Sequence, residues 1–260
     1  CRCAAYFFFD IDGTLAAGPI MGRYIPESTK RALEILKSEG HFLAICTGRL
    51  HAMGEDFMHE LGFQNMVADG GNSLTLDGEF LGIKPLDTQA CIDVIEECER
   101  LGVVWAISFD DSRRRWTRYA NYDALVHDSY METVVDPELD YRSIECFYKV
   151  YVICSSEEEG RIASLSKVPT ARFSPYAVFV EPVDKGEGIK RCMAHLGASI
   201  EDVVVFGDGS NDVFMFLPEW TSVAMGNAID ELKQRADYVT TNVDDDGIWN
   251  ACVHLGFIEA

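Results

Sequence analysis

A run of bulky apolar residues near the amino terminus, Tyr6–Phe9, is followed at once by two acids, Asp10 and Asp12, and then by Gly13. Four residues are too few for a helix, and a short apolar run that ends at a glycine turn is typical of a strand buried on both faces of a parallel sheet. Such sheets bind their ligands at the carboxyl ends of their strands. The run therefore predicts an α/β fold with Asp10 at a strand tip and Asp12 in the following loop.

Two neighbouring buried carboxylates are unfavourable unless a cation neutralises them or one of them keeps its proton. Either state is chemically useful, so Asp10 and Asp12 are candidates for a reaction centre. Aspartate and glycine also favour turns through local hydrogen bonds. From these residues alone, the pair can equally serve to shape a turn.

The composition limits the classes of partner. The chain has 260 residues, enough for one large or two modest domains, and 43 acidic against 22 basic residues give a net charge of -21. This charge opposes binding to nucleic acid or to an anionic membrane. No apolar run approaches the length of a membrane span, and no secretory signal is evident, although the chain does not begin with Met. We expect a cytoplasmic protein, a monomer or a weak homo-oligomer.

The nine cysteines are an odd number and lie mostly within apolar stretches. Cys1 and Cys3 form the one close pair, and no second pair stands at the spacing of a zinc site. We interpret the cysteines as buried thiols of a reducing compartment and do not expect a set of disulfides.

A second predicted strand, residues 41–46, follows an amphipathic helix that we expect to be capped by Ser28 and closed by Gly40. A strand, a helix and a strand in succession predict a parallel unit with a right-handed crossover. Thr47, which ends this strand, then lies at the same sheet edge as Asp10. Its hydroxyl and the backbone at Gly48 can bind an anion, although Thr47 can equally cap the next helix.

The pattern changes from about residue 85. Helices are predicted at residues 87–101 and 156–167, and strands at residues 103–109, 115–119, 147–154, 170–174 and 176–181. This succession is typical of an α+β layer. We predict an inserted domain at residues 84–181 and a core formed by residues 1–83 and 182–260. The basic cluster at residues 113–118 is interpreted as a solvated turn.

The core resumes with Lys185, which stands just before a predicted helix at residues 187–196. A buried strand, residues 202–206, is then followed by three side chains with oxygen atoms, Asp208, Asn211 and Asp212. Hard oxygen ligands of this kind suit magnesium, and the spacing does not fit a helix-loop-helix calcium site. A plain turn rich in Asp and Asn is the alternative.

Four motifs in this order resemble those of the haloacid dehalogenase (HAD) superfamily, and the segment inserted between the second and third resembles the cap of its Cof-like, type IIB phosphatases. The motifs are Asp10-Ile11-Asp12-Gly13-Thr14, Thr47-Gly48-Arg49, Lys185-Gly186 and Gly207-Asp208-Gly209-Ser210-Asn211-Asp212. The resemblance spans essentially the whole chain and implies a Rossmann-like parallel sheet core with an α+β cap.

The resemblance also implies roles. Asp10 would attack phosphorus and form an aspartyl-phosphate, and Asp12 would act as general acid and then as general base. The expected magnesium ligands are Asp10, the backbone carbonyl of Asp12, and Asp208, supported by Asn211 and Asp212. The expected phosphate-binding residues are Thr47, Gly48 and Lys185.

We therefore predict a magnesium-dependent phosphatase for a small phosphorylated metabolite, with a sugar phosphate as the first choice. A phosphomutase of the same superfamily is an alternative, and a phosphate-sensing or partner-binding module is another. Dehalogenation is less favoured, because Asp12 has its clearest use in protonating an alkoxide. Relatives commonly carry Asn-Gly-Ala after the third strand, where this chain has Asp69-Gly70-Gly71-Asn72, so Asp69 receives no role.

Overall fold

A computed structural model describes residues 4–19 and 22–259. The chain forms two compact units. The first comprises Cys1–Arg49, Gly54–Gly82 and Asp184–Ala260, and the second comprises Leu50–Met53 and Ile83–Val183.

The bounds of the regular elements are as follows. The strands are β1 (Tyr6–Phe9), β2 (Phe42–Cys46), β3 (Asn65–Ala68), β4 (Ser73–Leu76), β5 (Glu79–Ile83), β6 (Trp105–Ser108), β7 (Arg114–Thr117), β8 (Glu132–Val135), β9 (Lys149–Ile153), β10 (Thr170–Ala171), β11 (Ala177–Val180), β12 (Val203–Gly207), β13 (Thr221–Ala224) and β14 (Tyr238–Val239). The α-helices are α1 (Glu27–Ser38), α2 (His51–Leu61), α3 (Thr88–Leu101), α4 (Tyr122–Val126), α5 (Ser156–Glu159), α6 (Lys185–Leu196), α7 (Asp230–Arg235) and α8 (Gly247–His254). The 3-10 helices are Asp69–Gly71, Tyr141–Ser143, Ala163–Lys167, Ile200–Asp202 and Ser210–Met215.

The first unit contains an eight-stranded sheet in the order β14-β13-β12-β1-β2-β3-β4-β5. Its strands from β14 to β3 are parallel, and β4 pairs with β3 in the antiparallel direction. A parallel sheet needs crossover connections, which the helices between its strands supply. The predicted α/β fold with a Rossmann-like parallel sheet is confirmed.

Strand β1 is the centre of this unit. Phe7 and Phe9 pack into the hydrophobic core on one face of the sheet, whereas Phe8 packs into a separate core on the other face. All three side chains are fully buried. Alternate residues of a strand point to opposite faces, so helices must cover both sides, as predicted from the unbroken apolar run.

The second unit contains a six-stranded sheet in the order β10-β11-β9-β6-β7-β8. Its pairs are antiparallel except for β7 with β8. Apolar residues of α3, including Val94 and Ile95, pack with Trp105 and Val150 of the sheet in one hydrophobic core. The unit therefore has the predicted α+β composition.

Two predicted helix starts are wrong. Helix α1 starts at Glu27 after Pro26 and has no side-chain cap, so Ser28, which lies inside the helix, is not its cap. Helix α6 starts at Lys185 and not at Glu187, because Asp184 caps it and accepts a bond from the Glu187 amide.

The predicted helix at residues 156–167 is interrupted. Only Ser156–Glu159 is α-helical, and a 3-10 helix follows at Ala163–Lys167. Gly160 stands at the break, and glycine is a weak helix former. The sequence reading also missed α4 and β8, which are too short to show a clear periodicity.

The prediction that the basic cluster at residues 113–118 is a solvated turn is wrong at Arg115. This side chain is fully buried and forms two hydrogen bonds with Asp128, of 3.0 and 2.6 Å. Its guanidinium also lies 4.8 Å from the ring centre of Tyr122. A buried guanidinium needs such partners, and these come from residues after the cluster in the chain.

Among the described residues, seven cysteines are free thiols and six of them are buried. Cys1 and Cys3 lie outside the described residues. In the same part of the chain, no helix combines the length and apolar character that crossing a bilayer requires.

Candidate active site

The site lies where three adjacent parallel strands end. In the order β12-β1-β2, the strands lead into Asp208, Asp10 and Thr47. The amide of Asp10 donates to the carbonyl of Phe206 at 3.0 Å, so the ladder of β1 with β12 continues up to the first acid. The sheet itself therefore brings together residues that are almost 200 positions apart.

Lys185, the first residue of α6, is fully buried and bridges two carboxylates. Its ammonium donates to Oδ1 of Asp10 at 2.7 Å and to Oδ1 of Asp212 at 2.6 Å. Burial lowers the pKa of Lys185, but the charges of Asp10 and Asp212 outweigh it and the pKa is raised. Lys185 is therefore a permanent positive charge inside the site.

Asp212 organises the loop that carries Asp208. Its Oδ2 accepts hydrogen bonds from the amides of Asp208 and Gly209, at 2.9 and 3.0 Å. Its other oxygen holds Lys185. Asp212 is therefore fixed by three donors, which suits a residue that holds Lys185 and the Asp208 loop in place.

Asp208 is held by the loop after β1. The hydroxyl of Thr14 donates to its Oδ1 at 2.8 Å. Gly13 has a positive φ of 82°, and a Cβ at this position would lie 2.2 Å from Oδ2 of Asp208. Only glycine permits this close approach without strain.

Carboxylate oxygens of Asp10, Asp208 and Asp212 lie within 4.8 Å of one another. Burial raises the pKa of Asp10, the charge of Asp212 raises it further, and Lys185 opposes both effects. Burial and the charge of Asp212 also raise the pKa of Asp208 to about 7. A divalent cation among these oxygens would relieve their repulsion, so the donor set fits a hard cation such as magnesium.

Asp12 has a different environment. Oδ2 and Oδ1 accept bonds from Nε and Nη2 of Arg49, at 2.8 and 2.7 Å, and Nε of Arg23 donates to Oδ1 at 3.0 Å. Burial would raise the pKa of Asp12, but the hydrogen bonds and charge of Arg49, with those of Arg23, leave it lowered. The two acids of the first motif thus have opposite pKa shifts.

Thr47 is buried next to these groups. Its hydroxyl accepts a bond from the amide of Arg49 at 3.1 Å, and its carbonyl accepts one from Gly70 at 3.1 Å. Gly48, between Thr47 and Arg49, is half-buried. Asn211 is also half-buried and lies in the 3-10 helix that carries Asp212.

Asp69 lies close to the same loop. It is buried, has a positive φ of 51°, and its amide donates to the carbonyl of Arg49 at 2.8 Å. The neighbouring Gly71 approaches the backbone of Asp184 so closely that a Cβ would lie 2.2 Å from the Asp184 carbonyl oxygen. This segment therefore supports both the Thr47 loop and the start of α6.

Sequence reasoning did not give roles to Thr14, Arg23, Arg49 or Asn227. Thr14 and Arg49 stand inside the quoted motifs, and that position could have marked them. Arg23 and Asn227 carry no such signal. The Asn227 amide donates to the carbonyl of Gly13 and accepts from the amide of Val243, both at 2.8 Å.

The chain's relationship to known proteins agrees with this geometry. The sequence model of the haloacid dehalogenase-like hydrolases matches residues 7–252. This chain belongs to the haloacid dehalogenase-like hydrolases.

The chain is 30% identical over 261 residues to YkrA of Bacillus subtilis (strain 168), which is provisionally named a phosphatase. The match covers 97% of this chain and 98% of YkrA.

Solved structures of similar proteins share the fold. A hypothetical protein of Geobacillus kaustophilus HTA426 has a TM-score of 0.83 at 31% identity, covering 98% of this chain and 100% of that one. The subclass IIB sugar phosphatase BT4131 has a TM-score of 0.80 at 27% identity, with the same coverage of both chains. The predicted membership of the HAD superfamily and the predicted class of enzyme, a phosphatase of this superfamily, are confirmed.

Proposed function

We propose that this protein is a magnesium-dependent phosphatase that hydrolyses a small phosphorylated metabolite through an aspartyl-phosphate on Asp10. The observation that carries this proposal is the arrangement around Asp10. Its carboxylate is held by buried Lys185 at 2.7 Å and lies within 4.8 Å of oxygens of Asp208 and Asp212. A nucleophile, a cation and a set of metal ligands thus converge on one strand end.

Asp10 is the proposed nucleophile because it is buried and fixed at the tip of β1. A nucleophilic carboxylate must be ionised, and Lys185 favours that state. In our account, Lys185 also neutralises charge on the phosphoryl oxygens as they approach. Thr47 and the backbone at Gly48 supply further hydrogen bonds to those oxygens.

Magnesium would be held by Asp10, the carbonyl of Asp12, and Asp208, with Asn211 and Asp212 in support. When bound, the ion would neutralise negative charge on the transferred phosphoryl group. Asp212 stabilises the site in a second way, because it fixes both Lys185 and the Asp208 loop.

Asp12 is the proposed general acid and base. It protonates the leaving alcohol in the first half of the reaction and accepts a proton from water in the second half. Its partners Arg23 and Arg49 favour the ionised form, which is the form needed in the second half.

We propose a sugar phosphate as the substrate class. The similar structure BT4131 is described as a sugar phosphatase, and this supports the choice. We further propose that residues 84–181 form a separate functional domain that contributes to substrate choice. The net charge of -21 supports a small metabolite rather than nucleic acid as partner. We also propose that the protein is cytoplasmic and is a monomer or a weak homo-oligomer.

The test is phosphate release from a panel of sugar phosphates and other phosphomonoesters, with magnesium and with EDTA. We expect activity that requires magnesium and is lost in Asp10→Asn. The matched control is Asp230→Asn, at the exposed start of α7, which should keep full activity. Inactivity across the panel in magnesium, or full activity of Asp10→Asn, would refute the proposal.

A further inference from the structure

Asp12 is bound by two arginines from different parts of the first unit. Arg49 follows the Thr47 loop, and Arg23 lies in the loop before α1. The side chains remain partly open to solvent, with exposed fractions of 18% for Arg49, 19% for Arg23 and 33% for Asp12. Two converging guanidinium groups that solvent can reach are a typical anion-binding arrangement.

The two arginines are held in different ways. Arg49 forms bonds to both oxygens of Asp12, and its guanidinium lies 5.0 Å from the ring centre of Phe57. Arg23 forms one bond to Oδ1, which Arg49 also contacts, and its Nη1 donates to the carbonyl of Gly18. If Arg23 changes partner, Asp12 keeps both bonds to Arg49 and stays in place. Arg23 is therefore the arginine that can leave Asp12 and bind another acidic group.

We propose that Arg23, with Arg49, forms an anion-binding subsite for the alcohol half of the substrate, and that the Asp12 carboxylate occupies this subsite until an acidic group of the substrate takes Arg23. The inference rests on the proposed function, which places Asp12 beside the leaving oxygen. Within the proposed class of sugar phosphates, the favoured substrates then carry a second acidic group, a carboxylate or a second phosphate, a few bonds from the phosphate ester.

Charge supports this assignment. Lys185 contacts Asp10 and Asp212, the charges of Asp12 and Asp208 also act on Asp10, and the whole chain carries -21. A substrate with two acidic groups meets repulsion unless local cations receive each group. Lys185 is engaged inside the site, whereas Arg23 and Arg49 stand at its accessible side. Binding of an acidic group to Arg23 also frees a position on Oδ1 of Asp12.

The test compares three substrates that differ at one carbon: glycerol 3-phosphate, 3-phosphoglycerate and glycerol 1,3-bisphosphate. In the unmodified protein, kcat/KM should be at least about tenfold higher for one of the acidic substrates than for glycerol 3-phosphate. Preference for 3-phosphoglycerate identifies a carboxylate as the second group, and preference for the bisphosphate identifies a phosphate. Arg23→Gln should remove that preference, lowering kcat/KM for the favoured acidic substrate at least about tenfold more than for glycerol 3-phosphate.

Arg31→Gln is the matched control, because Arg31 is exposed on α1 and contacts Trp249 rather than the site. A direct binding measurement separates this inference from the proposed function. Calorimetric titration of the non-hydrolysing Asp10→Asn protein, in magnesium, should show tighter binding of the favoured acidic substrate than of glycerol 3-phosphate, and adding Arg23→Gln should weaken binding of the acidic substrate about tenfold. Equal losses on neutral and acidic substrates, or no acidic preference in the unmodified protein, would overturn the subsite even if the phosphatase is active.

Discussion

The ammonium of Lys185 lies 2.7 Å from Oδ1 of Asp10, although the two residues are 175 positions apart in the chain. Lys185 begins α6 and Asp10 directly follows β1, so the contact exists only in the folded first unit. Both side chains are buried, and neither would be stable there as an isolated charge. This contact therefore joins the stability of the fold to the chemistry of the site.

Replacing Lys185 with Met should therefore damage both properties. Loss of the cation leaves Asp10 and Asp212 facing each other in a buried place, at a cost of roughly 3–5 kcal/mol in unfolding free energy. Activity should fall by roughly 10²–10³-fold, as for other lost electrostatic contacts in active sites. Urea unfolding and phosphate release measure the two effects. The control is Lys190→Met on the same helix, α6. It removes only a partly exposed ion pair with Glu219, so the free energy of unfolding should change by less than about 1 kcal/mol.

The stability of the protein in EDTA should fall as pH rises from 5 to 8. The pKa of Asp208 is raised by burial, and then by Asp212, from 3.8 to about 7, so its proton is bound more tightly in the folded state than in the unfolded state. That stabilisation is present at low pH and is lost as Asp208 ionises, with a total of roughly 2–4 kcal/mol.

Urea unfolding across this pH range is the measurement. Excess magnesium should remove the decline, because a cation binds the ionised carboxylates. Asp208→Asn should weaken the decline in EDTA. Stability that stays level or rises between pH 5 and 8 in EDTA would contradict the assigned direction of the shift.

Gly13→Ala should weaken magnesium binding by roughly tenfold or more, because the new Cβ would collide with Oδ2 of Asp208. Gly40→Ala is a close control. Gly40 has the same φ of 82°, but nothing lies within 4 Å of its added Cβ. Both variants should carry similar backbone strain, of the order of 1–3 kcal/mol. Equal magnesium affinities in the two variants would show that the contact with Asp208 is unimportant.

In the second unit, Asp128→Ala should destabilise the fold more than Arg115→Met. The first change leaves a fully buried guanidinium without its two bonds to Asp128, at roughly 3–5 kcal/mol. The second replaces the cation with an apolar chain of similar length, and Asp128 is partly exposed and can be hydrated. Unfolding curves of the two variants test the order, and a larger effect of Arg115→Met would reverse our interpretation.

The parallel sheet and the positions of its polar strand ends could be predicted from the sequence. Four consecutive apolar residues before Asp10 are compatible with few structures, and the separate packing of Phe7 and Phe8 shows why. The motifs around Thr47 and Asp208 also follow buried strands, so their meeting at one edge follows from parallel pairing. The local sequence was sufficient where an unbroken apolar run is followed directly by a short polar turn.

Other features depend on tertiary contacts that no local pattern contains. Arg115 stands among charged neighbours in the sequence, yet Asp128 and Tyr122 bury it. Arg23 is a lone loop residue whose partner, Asp12, is recognised only in three dimensions. Helix α6 starts at Lys185, before the predicted start at Glu187, because the side chain of Asp184 caps the helix.

The most direct test of the account is to locate the phosphoryl group during turnover. The protein would be mixed with a labelled substrate in magnesium, quenched in cold acid at successive times, digested and mapped by mass spectrometry. We predict a phosphoryl group on the peptide that contains Asp10, appearing before free phosphate and disappearing as substrate is consumed. A phosphoryl group on another residue, or several turnovers with no protein-bound phosphate at any quench time, would contradict the assignment of Asp10 as the nucleophile.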